Sequence, residues 1–214
     1  MNSGLTTAQS NNQPQMEMNR FDLPRDWGPS ALNPPNQASL SGTYQLPFGK
    51  SGGMFERRIR GGWQLNGIVT LLSGFPFTPL IGANRSGDGN TRNPDRPSLN
   101  PSFTGPVIVG TQGQWFNPQA FILPALGTWG NLGRGVYSGP GLAEVDFSVF
   151  KNIAVSERVN LQFRSEFFNL PNHMNLGAPN ATVFSGAAYS PTVGQITSLA
   201  TTPRQIQFGL KLIF

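Results

Sequence analysis

Five segments of about ten residues alternate apolar and polar side chains, and this pattern constrains the fold of the 214-residue chain more than any other feature. Side chains on a β-strand point alternately to its two faces, so each segment predicts a strand with one apolar and one polar face. Gly and Pro (26 and 19 residues) interrupt nearly every window long enough for a helix, and only a helical turn near 118–121 is expected. The predicted strands are Gln37–Leu46, Trp63–Leu72, Ala143–Asn152, Arg158–Phe168 and Arg204–Phe214.

The connections between these strands alternate in length. Residues 73–142 and 169–203 form long connections, residues 47–62 form one of moderate length, and residues 153–157 form a short one. Outer-membrane barrels combine short periplasmic turns with long external loops, and a tilted strand of about ten residues spans their apolar band of about 25 Å. The sequence therefore predicts an all-β chain whose antiparallel amphipathic strands form an incomplete part of a transmembrane β-barrel with long outer loops.

The strand number predicts that the barrel is incomplete. Bacterial outer-membrane barrels have about eight strands or more, and an open sheet in lipid would leave backbone groups unpaired at its edges. We expect residues 1–35 to be a poorly ordered outer-loop tail and residues 36–214 to be the C-terminal segment of a barrel. The Asn-, Gln-, Ser- and Thr-rich start lacks the pattern of a secretory signal, which we expect to lie elsewhere.

The polar sides of the predicted strands carry several charged residues. In a barrel they would face an aqueous lumen while the apolar sides face lipid. We predict lumen-facing positions for Glu144, Asp146, Arg158, Arg164, Glu166 and Lys211. The carboxylates of Glu144, Asp146 and Glu166 could resemble the paired carboxylates of a catalytic site. Ion pairing of these carboxylates with Arg158 and Arg164 is the favoured interpretation.

Aromatic residues suggest two further features. Phe48, Trp63, Phe150 and Phe214 are predicted at the periplasmic level, as in an aromatic girdle. Aromatic residues in the long connections could stack on a ligand or pack against the barrel mouth. These residues are Trp115, Phe116, Phe121, Trp129 and Tyr137.

Composition excludes several classes of site. The chain has no Cys and one His, so no disulfide scaffold, cysteine nucleophile or multi-His metal site is expected. His173 is expected to hydrogen-bond its turn. Asp88–Asn90 lacks the glutamate that closes a calcium loop, because Leu99 stands there. The net charge of +5 comes from scattered residues, so no nucleic-acid partner is expected, and Arg57, Arg58 and Arg60 are interpreted as a solvated connection. We expect no metal, no cofactor and no enzymatic activity.

The last eleven residues resemble the terminal recognition strand of outer-membrane proteins. Gln207, Gly209, Leu212 and Phe214 fill that pattern. An amphipathic edge strand can pair with another protein by strand addition, so this resemblance implies the barrel assembly machinery as a partner.

The order and spacing of several motifs resemble the C-terminal barrel of TonB-dependent receptors, in particular the Oar-like group with a carboxypeptidase-regulatory-like N-terminal domain. The resemblance covers about residues 36–214. Its motifs are Tyr44–Gly49, Gly62–Gly67, Ser73–Thr78, Trp115–Pro118, Gly130–Arg134, Gly139–Gly141, Asp146–Lys151, Glu166–Leu170, Asn172–His173 and the final strand.

This resemblance implies a plugged 22-stranded barrel in the cell outer membrane of a Gram-negative bacterium, importing scarce nutrients with energy passed from the inner membrane. The 214 residues contain no recognisable plug or energy-coupling box, so coupling to the TonB system is expected only through a missing N-terminal part. The expected function is ligand uptake through a polar lumen, with membrane lipid as the surrounding partner.

Two alternatives come from other classes. A soluble β-sandwich could bind carbohydrate through Trp115 and Trp129. An esterase- or glycosidase-like enzyme ranks last, because the sequence has no Gly-x-Ser-x-Gly stretch.

Overall fold

The protein is described by a computed structural model that covers residues 16–49, 53, 58–156 and 159–214. It is almost entirely strand and loop. The strands are β1 (Gln37–Gln45), β2 (Trp63–Leu72), β3 (Pro76–Phe77), β4 (Ser98–Leu99), β5 (Phe121–Ile122), β6 (Tyr137–Ser138), β7 (Leu142–Ala154), β8 (Asn160–Phe168), β9 (Phe184–Ser185), β10 (Ala188–Tyr189) and β11 (Gln205–Ile213). Residues 58–60 are helical, and 3-10 helices cover Leu23–Asp26 and Pro118–Ala120. Among these elements, no helix is long and apolar enough to cross a membrane.

The long strands form one five-stranded sheet in the order β1-β2-β7-β8-β11. Strands β1 and β2, β7 and β8, and β8 and β11 pair antiparallel, for example with Leu40 opposite Val69 and Phe147 opposite Phe167. Strands β1 and β11 form the two edges, and no other strand in the described ranges pairs with their outer sides. The sheet is therefore open, as an incomplete part of a barrel should be.

The sequence pattern located all five long strands. Trp63–Leu72 is confirmed to the residue, and the first and last strands are each slightly shorter than predicted. The third strand is longer than predicted because hydrogen-bonded pairing with β8 continues to Ala154 opposite Asn160. The fourth begins in the structure at Asn160, and Arg158, its predicted start, lies outside the described residues. The predicted turn near 118–121 is confirmed by the 3-10 helix there, which Asn117 caps through its side chain.

The pairing register gives the sheet two chemically different faces. Opposed residues of an antiparallel pair point to the same side. We call one side the polar face; its main members are Gln37, Ser39, Ser41, Thr43, Gln45, Gln64, Asn66, Thr70, Glu144, Asp146, Ser148, Phe150, Asn152, Gln162, Arg164, Glu166, Gln205, Gln207 and Lys211. The other side, the apolar face, consists mainly of Leu, Val, Phe and Ile side chains.

Apolar side chains near the edges of the sheet are strongly exposed. Leu40 is 72% exposed, Phe208 67% and Leu210 70%. A water-soluble domain would cover such a face with a second layer. The compact unit that contains this sheet, Gln37–Leu72, Ala143–Met174 and Thr202–Phe214, has no second sheet in its described part. This arrangement is that of a barrel wall and not of a sandwich.

The long segments before β1, between β2 and β7 and ahead of β11 form a second compact unit. Its described part comprises residues 16–36, Ser73–Leu142 and Asn175–Thr201. The predicted long outer loops are thus organised around their own core, which consists of Phe77, Ile81, Phe116, Ala120, Phe121, Leu132, Ala181, Val183 and Phe184. Each fully buried phenylalanine side chain stabilises this unit by about 1.5–3 kcal/mol. The predicted boundary after residue 35 stays a prediction, and residues 1–15 lie outside the described residues.

A buried ion pair ties the early segment to this unit. Asp26 Oδ1 lies 2.6 Å from Arg96 Nη1, with both side chains less than a tenth exposed. The Met18 amide donates to Asp26 Oδ2, and Arg96 Nη2 donates to the Arg25 carbonyl. Burial lowers the pKa of Arg96, while the charge of Asp26 acts in the opposite direction. The buried charge of Arg96 is therefore stabilised only while Asp26 is present.

Replacing Asp26 with Asn should strongly destabilise the loop unit. The substitution leaves the Arg96 guanidinium buried without a counter-charge, which costs about 3–5 kcal/mol. Hydrogen exchange at the Leu80 and Val183 amides, which bond Ala181 and Leu80 across the unit, reports the change. Asp22→Asn is the matched control, because its pair with Arg25 is exposed at 3.5 Å and should contribute about 1 kcal/mol or less. Equal small effects of both variants would contradict this account.

Candidate functional site: the polar face of the sheet

Neutral polar side chains are hydrogen-bonded across three strands of the polar face. Asn66 Oδ1 accepts from Thr43 Oγ1 at 3.0 Å and from Gln64 Nε2 at 2.7 Å. Asn66 Nδ2 donates to Ser148 Oγ at 3.1 Å, which links β2 to β7. Asn66 is thus the centre of a lateral row from β1 to β7. The alternation placed it on this side of its strand but could not show its partners.

A second row of hydrogen bonds crosses from β7 to β8. Gln162 Nε2 donates to Asn152 Oδ1 at 2.7 Å, and Arg164 Nε donates to Gln162 Oε1 at 2.6 Å. The Arg164 guanidinium lies 4.8 Å from the centre of the Phe150 ring, within cation–π range. The arginine is held flat against the wall by these contacts.

The expected ion pairing of Arg164 is wrong. Within the described part of the chain, no salt bridge joins Arg164 to Glu144, Asp146 or Glu166. The register explains this difference, because Phe150 lies directly opposite Arg164, whereas Glu166 is opposite Ser148 and Gln207. The other proposed partner, Arg158, lies outside the described residues.

The predicted lumen residues inside the described ranges share the polar face. Glu166 and Gln207 are opposed, and Lys211 lies opposite Gln162. A shallow depression of about 150 Å³ lies beside them, and most of its lining residues belong to this face. They are Asn66, Gly67, Ile68, Asp146, Phe147, Ser148, Glu166, Phe167 and Phe168. Their lumen-facing role stays a prediction.

A buried asparagine lies directly after β8, at the end of the polar face. Asn169 is 1% exposed and has a left-handed backbone (φ 49°). Its amide donates to Asp146 Oδ1 at 2.9 Å, and its Nδ2 donates to the carbonyls of His173 and Thr202. The His173 amide donates back to Asn169 Oδ1, so the backbone of His173 is hydrogen-bonded within its turn, while the role of its imidazole stays a prediction. Sequence reasoning did not single out Asn169, although it lies in the Glu166–Leu170 motif.

The loop aromatics divide into buried and partly exposed residues. Phe116 is fully buried, and Phe121 meets both its ring and that of Tyr137 edge-on at 5.9 Å. Phe116 is buried inside the core of the loop unit, so a ligand cannot stack on it and the ligand-contact prediction is wrong for this residue; packing against the barrel mouth stays a prediction. Trp115 is half-buried and donates from Nε1 to the Ser138 carbonyl, and Trp129 is also half-buried. Ligand contact at these tryptophans stays a prediction.

The aromatic girdle is only partly reproduced. Phe48 is 59% exposed and Phe214 is 92% exposed, and each follows a strand at the end where the short connections lie. Trp63 begins β2 on the apolar face. Phe150 belongs instead to the polar face, under Arg164, so the girdle prediction is wrong for Phe150.

The terminal strand β11 is an amphipathic edge strand, as its pattern predicts. Gln207 and Gly209 lie opposite Glu166 and Arg164 on the polar face, while Leu212 lies on the other face opposite Leu161. Recognition of this strand by the assembly machinery stays a prediction.

No group of three or more acidic or histidine side chains is placed to hold a metal ion in the part of the chain that the structure describes. The polar face presents mainly amides, hydroxyls and carboxylates, and Asp146 accepts a hydrogen bond from the Asn169 amide. Such a surface can hydrate and hydrogen-bond a polar solute along its length.

An open antiparallel sheet with one polar face and one exposed apolar face is the arrangement expected for part of an outer-membrane β-barrel. A comparison with protein families agrees: residues 1–207 match the outer membrane beta barrel domain. The chain belongs to this family and is located in the cell outer membrane. Searches of curated proteins and of solved structures gave no significant match.

Tyr137 provides a pH-dependent test of the loop core. Burial raises the pKa of its phenol above the ordinary value of 10.0. The pKa of this phenol is higher in the folded than in the unfolded state. Its contribution to the stability of the fold is therefore complete below about pH 10 and is lost as the pH rises through the folded-state pKa. We expect the difference in tyrosinate absorbance between the wild type and the Tyr137→Phe variant to titrate with a midpoint above pH 10. A midpoint at or below that value would contradict burial of the phenol.

Asn169→Ala should lower the free energy of unfolding by about 2–4 kcal/mol, through three lost side-chain hydrogen bonds and a strained left-handed backbone. Asn169→Gly should cost less, because glycine adopts this conformation freely. Asn172→Gly is the control, because Asn172 is also left-handed but exposed, and it should change stability by about 1 kcal/mol or less. Denaturant unfolding in micelles measures all three, and an Ala variant as stable as wild type would exclude this role.

Proposed function

We propose that this chain is the C-terminal barrel segment of an Oar-like TonB-dependent receptor, which takes up a ligand through its polar lumen. The proposal rests on the polar face, which extends over all five strands from β1 to β11 and is hydrogen-bonded laterally around Asn66. A wall of this kind suits passage of a polar ligand because it offers donors and acceptors at successive levels. The motif order described above supplies the specific resemblance to these receptors.

The loop unit suits the capture step of this function. Its core is buried, so its surface residues can vary without loss of the fold. Trp115 and Trp129 keep partly exposed rings there. In this proposal the plug and the contact with TonB belong to a part of the complete receptor outside these 214 residues.

The uptake proposal is tested in cells that produce the complete receptor. Labelled iron(III) chelates, corrinoids and oligosaccharides serve as probes. We expect a deletion of the receptor gene to abolish accumulation of one probe class. Deletion of tonB should have the same effect, and the double deletion should add nothing. Accumulation that persists without TonB, or after collapse of the proton gradient, would contradict the proposal.

Substitutions at two adjacent residues of β7 then test which face of the sheet the ligand passes along. Ser148 lies on the polar face beside Asn66, and Val149 points to the opposite side. Ser148→Trp should lower uptake several-fold because the indole obstructs the lumen, whereas Val149→Trp should leave it near the wild-type level. Both variants are compared at equal surface expression. Equal uptake by both would contradict passage along this face.

A further inference from the structure

The apolar face carries one charged side chain among the described strand residues, and it is a cation. Lys151 lies on β7 between Val149 and Ile153, opposite Phe163 of β8. It is 6% exposed. All the acidic residues of the five long strands, Glu144, Asp146 and Glu166, lie on the polar face. The break in alternation at Lys151 was the only sequence signal for this feature.

Lys151 is covered by the chain that leads into β2. Its Nζ donates to the carbonyls of Ile59 (2.8 Å) and Gly61, and lies 5.0 Å from the Trp63 ring. Trp63 Nε1 donates to the same Ile59 carbonyl at 3.2 Å. Residues 59–61 therefore lie over the end of the apolar face.

The residues on this cover are basic and apolar. Arg58 and Arg60 are exposed, and Ile59 between them is 54% exposed. The Asn152 amide donates to the Gly62 carbonyl at 2.8 Å, which holds the segment against β7. We call residues 58–60 the basic segment.

The basic segment lies at the end of the sheet that carries the short connections. That end of an outer-membrane barrel faces the periplasm, where the leaflet consists of glycerophospholipids. Because the segment covers the lipid-facing side, its arginines lie at the level of the lipid headgroups, with Trp63 as an interfacial aromatic.

We propose that the basic segment, anchored by Lys151 and Trp63, binds the headgroup of an anionic phospholipid in the periplasmic leaflet. Arg58 and Arg60 supply positive charge and donors for the phosphate, and Ile59 inserts beside the acyl chains. Lys151 acts as a positioning residue, because its ammonium is occupied by backbone carbonyls. This inference rests on the outer-membrane location and not on ligand uptake.

The experiment uses the full chain in neutral detergent micelles, with dioleoylphosphatidylglycerol or dioleoylphosphatidylcholine added. A ligand that binds only the folded state raises the melting temperature according to its affinity. We expect phosphatidylglycerol to raise it and phosphatidylcholine not to. In Arg58→Gln/Arg60→Gln the apparent affinity should fall about 25-fold, since each basic residue contributes about fivefold near an anionic lipid surface.

Three arms make the result decisive. Arg58→Lys/Arg60→Lys keeps both charges and should retain most of the effect. Arg20→Gln/Arg92→Gln removes two exposed arginines from the loop unit and should respond like wild type. Inorganic phosphate should not reproduce the shift. An unchanged response of the Gln pair, a loss in the loop control, or an equal shift with inorganic phosphate would overturn the proposal.

Discussion

In our proposal the polar face of the five-stranded sheet meets water and the apolar face meets lipid, and the rest of the structure depends on that difference. In hydrocarbon, backbone groups must find partners within the protein, which only paired strands or helices provide. Pairing fixes the register, and the register sends alternate side chains to water and to lipid. Exposed Leu40, Phe208 and Leu210 are unfavourable in water but stable against acyl chains.

Polar side chains are stabilised differently on the polar face and in the loop unit. On the polar face, Asn66 and Gln162 hydrogen-bond along the wall, where water can replace any bond that breaks. In the loop unit, Asp26 and Arg96 are withdrawn from water and must satisfy each other. The loop unit thus has the energetics of a small soluble domain, with a phenylalanine-rich core.

The strands could be predicted because their signal is local. A period of two over ten residues depends only on the solvent at each face, so Trp63–Leu72 is found to the residue. The loop core could not be predicted, because Phe77, Phe116 and Val183 meet across long stretches of chain without periodicity. Pairwise choices were also out of reach. Arg164 stacks on Phe150 instead of pairing with a carboxylate, since only the register decides which neighbour is opposite.

Solvent access along β11 tests the two-solvent account most directly. The chain has 0 Cys, so single cysteine substitutions at positions 206–212 accept a nitroxide label without interference. In lipid bilayers, the account predicts that collisions with oxygen peak at Ile206, Phe208, Leu210 and Leu212. Collisions with a water-soluble nickel chelate should peak at Gln207, Gly209 and Lys211. Equal access of the nickel chelate to both sets would contradict it.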